Sequence, residues 1–171
     1  MDLLGRLHTG GRDGVALFVD GPNVLREEFD VDLDDVLAVA RREGSLRTAR
    51  LYLDEHAPSG LVQAAEARGF EVVVTSGDVD VKLAVDAARF VVEGKAGTVV
   101  VASRDTDFKP TVELANEYGL RTVALAPGEF GRSDALRNAA DDADTIQAAA
   151  EAARGEVATD DEGRVPVDGD D

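Results

Sequence analysis

Five short apolar runs recur along the chain, and each is separated from the next by an amphipathic segment. The run at 15–20 is apolar up to its last residue, which is typical of a strand buried on both faces of a sheet. Similar runs predict further strands at 70–74, 97–103 and 120–127, and an alternating pattern predicts one at 46–54.

The segments between these runs have helical periodicity. The segment at 32–44 has acids in its first turn and arginines in its last, and Gly44 stops it. The pattern predicts further helices at 59–69, 79–94 and 107–119, and shorter ones at 132–138 and 142–154. Ser59 is the predicted N-cap of the second helix.

Alternating strands and helices, with strands that are apolar throughout, predict an α/β fold. We expect a three-layer sandwich with a central parallel sheet of about five strands. The predicted domain spans 14–154, after a flexible N-terminus at 1–13. Residues 155–171 hold seven acids and one arginine, and we expect an acidic, disordered tail there.

Charge is the unusual feature of the composition. The 171 residues include 35 acids and carry a formal net charge of −17, and only three of the 18 bases are lysines. This composition predicts a halophilic acidic protein of a salt-adapted cytoplasm. Near 1 M salt the Debye length is about 3 Å, so the acidity argues only weakly against a nucleic acid partner.

Several classes of protein are excluded by what the sequence lacks. It has no cysteine, which excludes disulfides, zinc–thiolate clusters and thiol nucleophiles. We expect no signal peptide, no membrane partner and a cytoplasmic location, because no apolar run approaches the roughly 18 residues of a membrane helix. The motifs of serine hydrolases and of nucleotide-binding loops are also absent.

Acidic and amide side chains collect where the predicted strands end. All strands of a parallel sheet end at one edge, and each following helix begins there. The sequence places five such side chains at this edge: Asp20, Asn23, Asp80, Asp105 and Asp107. Ligands of open α/β sheets bind outside this edge, where the strand order reverses. The carboxylates converge there if the first strand neighbours the fourth.

Each of these residues also has a structural interpretation. Asp107 is a suitable N-cap for the fourth helix, and either Asp78 or Asp80 can cap the third. Asp105 and Asn23 can stabilise turns. Asp20 is harder to explain in this way, because it directly follows a buried strand.

Together the carboxylates indicate a metal site. Two carboxylates about 5 Å apart repel by about 3 kcal/mol at an effective dielectric constant of 20, so a cluster of them attracts a cation. Oxygen ligands without histidine or cysteine suit Mg²⁺ or Mn²⁺. Such an ion can activate water and neutralise phosphate oxygens, which indicates metal-assisted phosphodiester hydrolysis. Ser103 can bond a carboxylate or a phosphate at the same edge.

Asp86 is a weaker candidate. It follows Asp80 by six residues, about 240° round a helix, so the two share a face only if Asp80 precedes the helix.

Three blocks of the sequence resemble NYN domains, which are members of the PIN-like nuclease superfamily. ALFVDGPNVLR resembles the first-strand motif D-G-x-N, and SGDVDVKLAVDAARF resembles the block K-G-x-D-x-x-L-x-x-D. VVVASRDTDFKPTVELANEYGLRTVALAP resembles the block S-x-D-x-D-F and the helix and strand that follow it. The resemblance extends from about Val15 to Pro127.

The resemblance implies the strand order 3-2-1-4-5 and a Mg²⁺- or Mn²⁺-dependent ribonuclease. Carried over by position, it implies an acidic cup of metal ligands: Asp20, Asp80, Asp105 and Asp107. Asp20, Asn23 and Asp105 are then the catalytic residues, with Asn23 orienting the scissile phosphate or the attacking water.

The sequence departs from the family pattern at one place. Gly77 and Asp78 stand where the family has Lys-Gly, which removes an expected phosphate contact. Lys82, one turn further on, is a candidate replacement, and Asn23, Ser103 and Lys82 are the candidate substrate-binding residues.

Three functions remain open from the sequence. The first is a metal-dependent endoribonuclease, and the second is a non-catalytic RNA-binding or regulatory module on the same fold. The third is a phosphatase with Asp105 as nucleophile, but phosphatases of the haloacid-dehalogenase type place D-x-D after the first strand rather than the fourth. A homodimer is possible under each.

Overall fold

The structure, a computed structural model, describes residues 13–26, 30–129 and 133–161. The predicted flexible N-terminus lies outside the described residues except for Asp13, as does the part of the predicted tail at 162–171. The division into a domain and two terminal segments therefore stays a prediction.

Six strands and seven helices, with one 3₁₀ turn, make up the described chain. The strands are β1 (Val15–Asp20), β2 (Leu46–Asp54), β3 (Glu71–Thr75), β4 (Thr98–Ala102), β5 (Arg121–Ala126) and β6 (Asp142–Thr145). The helices are α1 (Gly21–Val24), α2 (Leu33–Arg42), α3 (Ser59–Ala67), α4 (Val79–Val92), α5 (Lys109–Glu117), α6 (Asp134–Ala139) and α7 (Ile146–Asp161). The 3₁₀ turn, Thr106–Phe108, precedes α5.

The sheet is parallel throughout and has the order β3-β2-β1-β4-β5-β6. β1 lies at its centre, where Phe18 pairs with Arg50 of β2 on one side and with Val101 of β4 on the other. The strand order reverses between β1 and β4, so a ligand site is expected at their carboxyl ends. The predicted α/β class and the order of the first five strands are confirmed.

Helices cover both faces of the sheet, because the central strands β1 and β4 are apolar on both sides. One core contains alternate β1 residues such as Leu17 and the buried face of α2, and Ile146 of α7 closes it. The other core contains Phe18 of β1, with Leu83 of α4 and Val112 of α5. The fold is therefore the predicted three-layer sandwich.

The sixth strand was predicted wrongly as the start of a helix at 142–154. Its sequence, DADT, has no large apolar residue, and of its four residues only Thr145 is buried. Backbone pairing with β5 at the edge of the sheet holds these residues extended, and helix α7 begins only at Ile146. The α7 helix then continues past Gly155 to Asp161.

Local signals explain most of the helix boundaries. Asp32 and Asp35 form a capping box at the start of α2, and Arg41 and Arg42 lie in its last turn. The prediction for α3 was wrong by one residue, because Pro58 occupies the N-cap position and Ser59 is already helical. Within the described ranges, no helix combines the length and apolar character needed to cross a bilayer.

Candidate active site

Asp20 ends the central strand, and its side chain is only 2% exposed. The chain must turn sharply here, and the next residue is glycine for a steric reason. A Cβ atom at Gly21 would lie 2.5 Å from Leu53 Cδ2 and 2.6 Å from the Tyr52 carbonyl oxygen of the neighbouring strand. The sequence Asp-Gly therefore places a carboxylate at the reversal point of the sheet while the backbone passes close to β2.

Hydrogen bonds hold this carboxylate between the loops that follow β1 and β4. Asn23 Nδ2 donates to Asp20 Oδ2 at 2.7 Å, and Ser103 Oγ donates to the same oxygen at 3.1 Å. Ser103 Oγ also accepts a hydrogen bond from the Asp105 backbone N–H at 3.1 Å. Arg104 Nε donates to Asn23 Oδ1 at 3.4 Å and connects the two loops a second time. Asp20, Asn23 and Ser103 thus lie together.

Burial makes ionisation of Asp20 unfavourable. Burial raises the pKa of Asp20 above its ordinary value, while the hydrogen bonds from Asn23 and Ser103 oppose that shift. The negative charge of Asp105 acts in the same direction as burial. An ionised Asp20 at neutral pH is therefore held at a cost in stability, which is the condition under which a nearby cation is most favourable.

Three further aspartates form what we name the acidic cluster: Asp80, Asp105 and Asp107. Each offers one carboxylate oxygen, and these three oxygens all lie within 4.8 Å of one another. Asp80 comes from the first turn of α4, whereas the other two come from the loop after β4. Asp20 is outside this group of three but is joined to it through Ser103 and the Asp105 backbone.

The loop after β4 orients its two carboxylates by a local cap. Asp105 is the N-cap of the 3₁₀ turn, and its Oδ1 accepts the Asp107 backbone N–H at 2.9 Å. The alternative interpretation of Asp107 as a helix cap does not hold, because Phe108 occupies the N-cap position of α5 and Asp105 caps the preceding 3₁₀ turn. The Asp107 side chain is exposed at the open side of the acidic cluster.

The expected caps of α4 also differ from the structure. Asp78 occupies the N-cap position but makes no side-chain cap hydrogen bond, and Asp80 Oδ1 accepts the adjacent Val81 N–H at 2.9 Å. Asp80 is thus helical, so Asp86 lies on another face of α4.

The donor set of the acidic cluster fits a hard divalent cation. Mg²⁺ binds oxygen at about 2.1 Å, so two ligands on opposite sides of the ion lie about 4.2 Å apart. The three oxygens lie within 4.8 Å of one another, which is at most about 0.6 Å more than that span. The set contains only carboxylate oxygens, which suits Mg²⁺ or Mn²⁺ better than zinc.

A family comparison identifies the fold to which this geometry belongs. The family model for the NYN domain matches residues 14–147, which include β1, the acidic cluster and all six strands. The chain belongs to the NYN domain family. The recognition made from the three sequence blocks is confirmed.

Two known proteins are similar to this NYN domain, one in sequence and one in fold. The uncharacterized protein MJ0482 of Methanocaldococcus jannaschii is 40% identical over 131 residues, which cover 77% of this chain and 54% of that protein. This NYN domain therefore spans about half the length of that relative. A crystal structure of a protein of unknown function, VPA0982 from Vibrio parahaemolyticus, superposes with a TM-score of 0.66. It is 22% identical, and the match covers 80% of this chain and 94% of that one, so it supports the fold alone.

Lys82, the predicted substrate-binding lysine of this NYN domain, is engaged elsewhere. Its Nζ lies 2.9 Å from Asp86 Oδ1, one turn further along α4. Asp86 Oδ2 also accepts the Tyr52 hydroxyl at 3.1 Å and lies 4.0 Å from an Arg50 nitrogen. A contact between Lys82 and a phosphate would have to break this ion pair.

Arg104 is the residue that sequence reasoning missed. It lies between Ser103 and Asp105 in the motif S-x-D-x-D-F, at a position that the motif leaves open. Its hydrogen bond to Asn23 places a cation beside the carboxylates. Its position next to the paired aspartates was the only signal available in the sequence, and it does not distinguish a surface arginine from one that faces the site.

Proposed function

We propose that this NYN domain is a divalent-metal-dependent endoribonuclease. The observation that carries the proposal is the acidic cluster at the reversal point of the sheet, with three carboxylate oxygens within 4.8 Å. Lys82, the lysine nearest to Asp80 in the sequence, forms its ion pair with Asp86 rather than with any of these three aspartates. A cation from solution is then the natural partner of this charge.

Each aspartate has a proposed role. Asp80, Asp105 and Asp107 hold the ion, and the buried Asp20 adds negative charge behind them and completes the acidic cup. A bound Mg²⁺ or Mn²⁺ supplies an activated water and neutralises charge on the phosphate.

Asn23 and Ser103 have positioning roles in this proposal. One Nδ2 hydrogen of Asn23 is donated to Asp20, and an amide nitrogen carries a second hydrogen that can reach a phosphate oxygen or the attacking water. Ser103 fixes Asp20 relative to Asp105. Arg104 adds a positive charge for the phosphate at the same edge.

RNA is the proposed substrate, because NYN domains usually act on RNA. The acidic surface disfavours a long polyanion in dilute salt, so cleavage is expected to be strongest in concentrated potassium chloride, where the repulsion is screened.

Cleavage of mixed RNA by the purified protein tests the proposal, with Mn²⁺ or Mg²⁺ across a range of potassium chloride concentrations. The test variant is Asp105→Asn, which keeps the shape of the side chain and removes one ligand charge. The matched control is Asp78→Asn, the same change at an exposed residue that makes no cap hydrogen bond. We expect RNA fragments from wild type and the control, and none above background from Asp105→Asn. Equal fragment yields from all three proteins, or from none in any metal and salt, would contradict the proposal.

A second candidate function is a module that binds RNA without cutting it. Two observations favour it: glycine replaces the family lysine at position 77, and Lys82 is paired with Asp86. Binding of labelled RNA by wild type and by the Asp105→Asn variant separates the two functions. Equal binding by both proteins, without cleavage by wild type, supports the module.

A further inference from the structure

A cavity of about 130 Å³ opens at the carboxyl edge of the sheet, between β5, β6 and helix α6. None of the roles proposed above uses it. Its lining combines alanines of the sheet with polar side chains from the loops on either side.

Ser103 connects this cavity to the acidic cup. It forms part of the cavity wall, while its Oγ lies 3.1 Å from Asp20 Oδ2 and 3.1 Å from the Asp105 backbone nitrogen. A ligand group in the cavity is therefore one residue away from the carboxylates. A base of an RNA chain can therefore occupy the cavity while the adjacent phosphate lies at the acidic cup.

The inner wall of the cavity is apolar and flat. Ala124, Ala126 and Ala143 come from adjacent strands, and Leu136 from α6 closes the side. Alanines leave room above a sheet where larger residues would fill it. This arrangement suits a planar ring lying on the strands.

The outer part of the cavity carries both signs of charge and a hydroxyl group. Ser133 Oγ accepts the Leu136 N–H at 3.1 Å, so the hydroxyl proton of Ser133 is left to donate to a ligand. Glu129, which lines the cavity, supplies a carboxylate. Within the described part of the chain, the Arg137 guanidinium has no ion pair, although acids outnumber bases 35 to 18.

We propose that this cavity binds one unpaired pyrimidine nucleotide of the RNA, adjacent to the phosphate that is cut. The inference rests on the proposed ribonuclease function and adds a base preference to it. The base lies on the alanine wall, and Ser133 contacts its polar edge. Arg137 faces the phosphate on the far side of that nucleotide.

The size of the cavity sets the choice of base. A cavity of about 150 Å³ in a protein interior holds one benzene molecule, so a cavity of about 130 Å³ takes at most one six-membered ring, with the rest of the nucleotide at its open side. The two fused rings of a purine fit there less well than the single ring of a pyrimidine. Sequence-specific recognition of RNA usually takes an unstacked base into a pocket of this kind.

Binding of mononucleotides tests the cavity independently of cleavage. Amide NMR spectra are recorded while cytidine, uridine or adenosine 5′-monophosphate is added without a divalent metal. We expect cytidine and uridine monophosphate to shift the amides of Ser133, Ala143 and Thr145, and adenosine monophosphate to bind about tenfold more weakly. Absence of shifts at these amides, or equal binding of all three nucleotides, would overturn the proposal.

A variant that fills the cavity supplies the control. Ala143→Leu adds a larger side chain at a half-buried wall position, and Ala140→Leu makes the same change at a half-buried residue outside the cavity lining. We expect Ala143→Leu to lose at least about tenfold in pyrimidine affinity and Ala140→Leu to keep it. Thermal melts of both variants verify that they are folded. Unchanged affinity in a folded Ala143→Leu protein would contradict the assignment.

Mapping of cut sites distinguishes failure of this inference from failure of the proposed function. If wild type cuts RNA, we expect a pyrimidine on one fixed side of each cut, and we expect Ala143→Leu to lose that preference while still cutting. Cleavage without any base preference overturns the cavity assignment and leaves the ribonuclease intact. Pyrimidine binding without cleavage supports the cavity and overturns the ribonuclease.

Discussion

Helix α4 carries two aspartates whose surroundings differ sharply. Asp86 lies among cations and a phenol: Lys82 at 2.9 Å, the Tyr52 hydroxyl at 3.1 Å and an Arg50 nitrogen at 4.0 Å. Asp80, six residues earlier, lies instead with two more carboxylates within 4.8 Å. The same residue type on one helix thus lies against cations in one place and against further carboxylates in the other.

This difference in surroundings is consistent with a structural role for Asp86 and with the metal-binding role proposed for Asp80. Burial and the charge of Asp86 raise the pKa of Tyr52, so this phenol stays protonated and donates its hydrogen bond. The group around Asp86 is therefore complete without a ligand. The acidic cluster instead brings three carboxylates together, and this concentration of negative charge is what supports its proposed role as a metal site.

The largest effect is expected when each of these two aspartates is changed to asparagine. Asp80→Asn removes a metal ligand, so we expect RNA cleavage to fall by at least about a hundredfold with little change in melting temperature. Asp86→Asn leaves Lys82 and Arg50 without their charge partner, so we expect a loss of about 1–3 kcal/mol in the free energy of unfolding. Cleavage by Asp86→Asn should stay within about threefold of wild type when both are folded. Initial cleavage rates and thermal melts check both variants, and a reversed pattern would contradict the comparison.

Metal-induced stabilisation is the next largest expected effect. A ligand at 100 times its dissociation constant stabilises the folded state by about 2.7 kcal/mol. For a chain of this size that corresponds to a rise of about 5–10 °C in melting temperature. We expect Mn²⁺ to raise the melting temperature of wild type and of Asp86→Asn, and to have almost no effect on Asp80→Asn. Equal rises in all three proteins would place the ion elsewhere.

Asp20 is expected to reduce the stability of the metal-free protein. Its pKa is higher in the folded state than the ordinary 3.8, so the unfolded chain ionises first as the pH rises. The free energy of unfolding therefore falls as the pH rises from 3.8 to the pKa of Asp20 in the folded protein, and it stays lower at higher pH. Asn has no such ionisation, so Asp20→Asn should melt a few degrees higher than wild type at pH 7 in a chelator. The difference in melting temperature between Asp20→Asn and wild type should disappear as the pH falls towards 3.8. A lower melting temperature of the variant than of wild type at pH 7 would contradict this account.

A restored lysine should give the smallest effect. The backbone at Gly77 does not have positive φ, and a Cβ atom there would meet its nearest neighbour, Thr75 Oγ1, at 3.7 Å, so a side chain fits. We expect Gly77→Lys to tighten RNA binding about threefold, because it adds a cation beside the site while Lys82 remains paired with Asp86. Gly155→Lys, where a Cβ meets nothing within 4 Å, makes the same change in charge on the distant helix α7. Equal tightening by both variants would show an effect of net charge alone.

The sequence predicts the central part of this fold well because the physics there is local. β1 and β4 are apolar without interruption, so their burial follows from the residues themselves. The similarity of three sequence blocks to NYN domains then implies the strand order. This order places Asp20 and the loop after β4 at one edge of the sheet. The edge strand β6 could not be predicted, because backbone pairing with β5 holds a polar segment that has no strand pattern of its own.

Partners of charged side chains were the other part that could not be predicted. From the sequence, Lys82 can form an ion pair with Asp86 or contact a phosphate of the substrate. The geometry of α4 shows that it forms the ion pair with Asp86. The sequence suggested Asp107 as a helix cap, whereas Asp105, two residues earlier, is the residue that caps. The reason is that a 3₁₀ turn precedes helix α5, and the sequence does not reveal this turn. Arg104 was missed since nothing in the sequence states which way its side chain points.

The most direct measurement is the position of a bound ion. Crystals soaked in Mn²⁺ and measured at the manganese absorption edge give an anomalous peak wherever the ion binds. The account predicts a peak bonded to carboxylate oxygens of Asp80, Asp105 and Asp107, in front of the buried Asp20. A peak at another place, or none at concentrations that saturate ordinary Mn²⁺ enzymes, would contradict the claim that these carboxylates form a metal centre.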